Sequence, residues 1–315
     1  MNPDHMGNNL SLQNKQNNHE DHEKEKKEKN DLWEKSKENF TIQELMKGKS
    51  LQEIMDEISN LREAFEKELD TIVCSDERVP ATEGTKIGIA GQLILGSPKE
   101  VKDFIERCKG RIKRVESHSG CGAAGIKFDE LKDQKKWEEF KNEYGLQREN
   151  VTDVFENGDT LGKWWSKEII VKELSDEEKG FNVEYSHTTK EKMTGDVHDA
   201  RVIYFDGTGK FNPTAIEGMP VGYTCSGADF GLSDEYLKKE IQTLCGGIAL
   251  KEEGHGFGER FNGDDDAKFY IFVSAKDQEQ LDRLMKVANE AVAEYNNKVE
   301  VKGFIPKVKA DEPEQ

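Results

Sequence analysis

The sequence predicts an α/β protein: a mostly parallel central sheet flanked by helices, with an N-terminal helical arm and an additional C-terminal α+β unit. Three observations predict it. Stretches at 71–76 and 111–117 have strand character and flank an amphipathic segment at 98–109, an alternation that implies parallel pairing through a right-handed crossover. Glycine-rich turns follow predicted strands at "HSGCGAAG" (118–125) and "DGTGKFNP" (206–213). Beyond residue 218, the apolar run in "TLCGGIALKEEG", the strand "AKFYIFVSA" (267–275), a helix over 277–296 and a last strand in "KVEVKGFIP" form a further unit.

Residues 1–40 are rich in Asn, Glu, Lys and His and lack apolar side chains to offset the entropy of ordering, so a disordered polar tail is expected. Residues 41–70 form the helical arm. Leu51, Ile54, Met55, Ile58 and Leu61 recur three and four apart as one apolar stripe, and Gly48 splits the arm in two. The stripe can cover the protein's own sheet or pair with another subunit. Strand 71–76 and the apolar "KIGIAGQLILG" (86–96) follow. Ser97-Pro98 then supplies a cap and first-position pair for helix 98–109. Residues 126–176 are mainly helical and charged, with Trp137, Trp164 and Trp165 expected inside. No internal repeat is discernible. The expected division is a core at 71–217 and an extension at 218–315.

The bulk composition narrows the partners. A formal charge of −18 over 315 residues disfavours nucleic acid and anionic membrane, which it repels. No stretch approaches the roughly 20 apolar residues of a membrane helix. The polar start has no apolar signal region, and five cysteines is an odd number, so a cytoplasmic protein with free or metal-binding thiols is expected.

Chemistry concentrates at "TIVCSDERVP" (71–80) and "HSGCGAAG". Strand alternation would put Cys74, Asp76 and Arg78 on one face and Glu77 on the other. Open parallel sheets bind ligands at the carboxyl ends of their strands, where both segments fall. Cys74, His118 and Cys121 then make a thiolate–imidazole–thiolate set suited to zinc, with the fourth position left for water. Zinc lowers the pKa of bound water to about 7, which makes a hydroxide nucleophile available. Asp76 can orient that nucleophile while Arg78 holds Asp76 ionised by a bidentate pair. The plainer alternatives are a structural zinc, or two unrelated buried thiols beside a strand-end ion pair.

"CSDERV" resembles the C-x-D-x-R signature of β-class carbonic anhydrases, and "SHSGCGAA" resembles their H-x-x-C-G-A signature. "IGIAGQ" (87–92) is similar to the family's Ala-Gly segment and "HDARVIYFDGTGKF" (198–211) to its later strand. The resemblance spans about 71–217. It implies a β-carbonic-anhydrase-like fold, zinc on Cys74, His118 and Cys121, Asp76–Arg78 as catalytic dyad, and Gly122 helping to bind the substrate. It further implies reversible hydration of CO2 to bicarbonate and a homodimer or larger homo-oligomer, with the helical arm embracing the neighbour. Related zinc proteins hydrolyse carbonyl sulfide or carbon disulfide on such a site, and a zinc-stabilised scaffold without turnover is a third possibility. The sequence departs from the family at Glu77, where Ser is usual, at Gly88-Ile89 in place of Arg-Asn, and at Gln92 in place of Asn. Residues 218–315 have no counterpart.

Other features carry less. His255 in "EEGHGFGERF" is expected on a surface turn, Cys108, Cys225 and Cys245 as small packed thiols, and His187 and His198 without a defined role.

Overall fold

Within the sheets every strand pair is parallel, but there are two sheets rather than one. The computed structural model describes residues 22–79, 86–252, 255–295 and 297–307. The first sheet contains β1 (Thr71–Val73), β2 (Lys86–Gly88), β3 (Arg114–His118) and β4 (Glu184–Thr188), in the order β2-β1-β3-β4. The second contains β5 (Val202–Asp206), β6 (Gly222–Cys225), β7 (Phe269–Ser274) and β8 (Val299–Phe304), in the order β6-β5-β7-β8. The two orders are the same, so a repeat of topology exists where the sequence shows none.

The strand at 202–206, expected in the 71–217 core, belongs to the second sheet. It is buried along its whole length and pairs with β6 and β7, whereas β4 is a half-exposed edge that closes the first sheet. The C-terminal part is therefore parallel α/β, not α+β.

The N-terminal tail is corrected in part. Residues 22–37 form helix α1; residues 1–21 lie outside the described residues. One aromatic anchors this charged helix. Trp33 is buried, its ring edge-on to Phe257 and Phe261 at 5.2 and 5.1 Å, with the Arg201 guanidinium 4.4 Å over it. Next come α2 (Phe40–Met46), α3 (Leu51–Glu57) and α4 (Glu63–Glu66). Gly48, at φ +91°, makes the break between α2 and α3, and Ser50 with Glu53 forms a capping box on α3. The apolar stripe of α2 and α3 packs on Val202, Tyr204, Tyr270 and Phe272 of the second sheet. The arm thus covers the far half of its own chain.

Ser97 and Glu100 box the start of α5 (Pro98–Cys108), between β2 and β3. Between β3 and β4 run α6 (Gly122–Glu130), α7 (Gln134–Tyr144) and α8 (Gly158–Trp164). A π-helical stretch, Trp165–Val171, then leads into α9 (Lys172–Leu174). The second half has α10 (Asp234–Leu244), α11 (Gly258–Gly263) and α12 (Gln278–Ala291). Among the described residues, no helix is long and apolar enough to cross a membrane.

The halves meet edge to edge at β2 and β6. Thr224 N donates to Ser75 O at 3.1 Å and Ser226 N to Gly88 O at 2.9 Å. A Cβ at position 88 would run into Thr224, 2.6 Å from its Cβ, so the junction requires glycine there.

Candidate metal centre

β1 ends at Val73, so residues 74–79 form a bend rather than the longer strand expected. Cys74, Asp76 and Arg78 still face one cavity, but through the bend and not through strand alternation. Glu77 does not point away. Its side chain is 2 % exposed, and its carboxylate lies beside that of Asp76.

Cys74 follows β1, His118 ends β3, and Cys121 is the N-cap of α6. All three are buried, and their candidate ligand atoms lie within 4.8 Å of one another. The two Sγ atoms are 3.9 Å apart. Two thiolates on a tetrahedral zinc, each about 2.3 Å from it, would be about 3.8 Å apart. His118 Nδ1 lies 2.9 Å from Ser119 O and so carries the proton it donates there; Nε2 is buried with no partner. An unpartnered buried ring nitrogen beside two thiols fits a metal ion. Gly91 N donates to Cys74 Sγ at 3.4 Å, from a left-handed turn in which Gly91, Gln92 and Leu93 all have positive φ. The Gln92 side chain, donating to Glu116 O and accepting from Ser166 Oγ, holds that turn against β3 and the π-helical stretch.

The electrostatics fit the same use. A hydrogen bond from Cys121 and the charge of His118 pull the Cys74 thiol down against burial. Cys121 is pushed up by that hydrogen bond and by burial, so the pair keeps a proton. Burial lowers His118, but the Cys74 charge outweighs it and raises the imidazole to about 8.

Asp76 is gripped by Arg78. Nε and the backbone N donate to Oδ1 at 3.0 Å each, and a terminal guanidinium nitrogen donates to Oδ2 at 2.8 Å. Burial pushes Asp76 up, yet Arg78 and the nearby His198 and His118 hold it well below the usual carboxylate range. Oδ2 is 3.9 Å from His118 Nε2, so the carboxylate borders the site.

A cavity of about 720 Å³ opens on this group. The first half contributes Cys74, Asp76, Arg78 and Gly122; the second half contributes Tyr223, Leu244, Ile248 and His255. The Tyr223 hydroxyl is buried and unpartnered. His198, without a role in the sequence, stands at the dyad. Its Nδ1 is 2.7 Å from Glu77 Oε1 and 3.8 Å from Asp76 Oδ1. His255 also lines the cavity, half exposed, its ring 6.5 Å from that of His198. His187 accepts or donates to Ser117 and Ser119 and braces the end of β3. Cys108, Cys225 and Cys245 are buried free thiols.

Comparison of the chain with protein-family models, with curated proteins and with solved structures finds no match.

Proposed function

We propose that the protein hydrates CO2 reversibly, CO2 + H2O giving HCO3− + H+, with a zinc ion on Cys74, His118 and Cys121. The observation that carries this reading is the convergence of that ligand set with an Arg78-held Asp76 on one cavity. A zinc ion there supplies a Lewis acid that makes water nucleophilic near neutral pH. Asp76, ionised and acceptor-only, takes a hydrogen bond from the attacking water and points its lone pair at carbon. Arg78 uses three donors to keep the carboxylate from turning toward the ligands. Ala90, Ile126, Leu244 and Ile248 give CO2 an apolar wall. Gly122 brings the first turn of α6 to the cavity, where backbone N–H groups can meet the oxygens of bicarbonate. His198, beside the dyad, and the half-exposed His255, its ring 6.5 Å from that of His198, can carry the released proton outward.

Stopped-flow CO2 hydration on the zinc-loaded full chain at about pH 8.5, above the ~7 pKa of zinc-bound water, tests this. The expected result is a rate well above buffer that vanishes on chelation and in C121S. One zinc per chain without hydration would overturn it, and the same samples assayed with carbonyl sulfide would show whether a different electrophile is used.

A further inference from the structure

The two sheets share more than their order. In the first half, Thr71 pairs with Arg114, four residues before His118 at the end of β3. In the second, Val202 pairs with Tyr270, four residues before Ser274 at the end of β7. Three residues on from His118, Cys121 caps α6; three residues on from Ser274, Asp277 caps α12. The helices that connect the second and third strands, α5 and α10, both have 11 residues and a serine N-cap, Ser97 and Ser233. Counting along these registers puts Phe205 where Cys74 stands, Gly207 where Asp76 stands and Gly209 where Arg78 stands.

The corresponding place in the second half cannot hold a metal. Phe205 has no donor atom. Gly207 carries no carboxylate, and the space a side chain would need is taken by Leu284 and by Ser274 O, 2.9 Å from the Cβ position. Ser274 Oγ is spent on Asp206 Oδ1 at 2.8 Å. Asp277 is occupied with capping α12, accepting from Gln280 N. Phe205 and Leu284 are fully buried, so packed side chains occupy the ground that the cavity occupies in the first half.

The second half nevertheless reaches the first half's site. Tyr223 follows the first residue of β6, and Leu244 ends α10; both line the cavity. Glu240, also on α10, accepts from Ser75 Oγ at 2.8 Å and from Ala90 N at 2.6 Å, tying down the residues next to Cys74 and Gly91. Without the second half the cavity would lose one wall and these strand ends their shared acceptor.

We propose that the C-terminal half is a structural copy of the N-terminal half that has lost its own metal site and serves as the built-in partner that completes the other. The described residues then hold one Cys–His–Cys metal site, complete within one chain. This rests on the metal reading of Cys74, His118 and Cys121 but not on CO2 as the substrate.

Cobalt(II) titration of the full chain, followed by thiolate-to-cobalt absorption and by bound metal per chain, tests it without any turnover assay. The expected result is one equivalent, absorption per chain unchanged on hundredfold dilution, loss in C121S, and no change in the S274A/D277A double variant. Two equivalents, one of them removed by S274A/D277A, would show a live second site and overturn the proposal. Absorption per chain that falls on dilution would show that a second chain completes the site, which also overturns it. No cobalt–thiolate absorption would sink the metal reading and this proposal together, whereas one intact site without CO2 hydration would sink only the proposed reaction.

Discussion

His118 sets the terms on which a metal enters. The charge of Cys74 raises its imidazole to about 8, and the thiol pair keeps a proton, so metal binding must expel both protons. Apparent zinc affinity is therefore expected to rise by about 100-fold per pH unit below about 8 and by about tenfold per unit just above it. Chelator competition at about pH 6.5 and about pH 8.5 measures this, and a flat profile would show that the free ligands are not protonated. Asp76 does different work. D76N is expected to keep one zinc per chain and lower hydration on the order of 100-fold; bound-metal analysis beside stopped-flow rates separates the two. The ligand set was legible because its residues lie in two short motifs that fall at strand ends. Glu77 was misplaced because alternation holds only inside a strand, and β1 stops at Val73. His198 and Tyr223 were not legible. His198 meets Glu77 across 121 residues of sequence, and no local pattern records that approach.

Among the elements, those with their own start signals were the easiest to read. Ser50/Glu53 and Ser97/Glu100 announce α3 and α5, and both capping boxes form. Helix α1 announces nothing, because most of its residues are charged and its main apolar anchor, Trp33, enters a ring cluster from the other end of the chain, with Leu32 beside it and Ser36 and Asn30 bonded to Arg201 and Arg260. W33A is expected to cost about 3–5 kcal/mol and to strip amide protection selectively from residues 22–37. Urea titration and hydrogen exchange check the two parts. Retained protection would mean that the helix is held by its charged contacts instead.

At the scale of the molecule, the shared strand order was hidden by unequal crossovers. Four helices and a π-helical stretch separate β3 from β4, while α12 is the main helix between β7 and β8. Replacement of the ligands by Phe205, Ser274 and Asp277 removed the motifs that would have matched. The halves are coupled through Glu240, which burial raises from 4.5 to about 7 despite two hydrogen bonds to its ionised form. The folded state then binds more protons than the unfolded one between those values, so this group's contribution to stability falls as pH rises through the window, on the order of 3 kcal/mol in all. E240Q keeps an acceptor for Ser75 and Ala90 and cannot ionise. Its stability relative to the parent is expected to be greater at about pH 8 than at about pH 5 in paired urea titrations, and an unchanged difference would remove Glu240 from the coupling.

The close approach of β2 and β6 at Gly88 and Thr224 has a consequence for how such a chain can change. In an assembly of identical subunits, every substitution at the contact appears on both sides, so each side chain must tolerate its own image. Here the facing positions are encoded separately. Glycine can remain on one edge while threonine stands on the other, and a change in either is tested against a fixed counterpart rather than against itself.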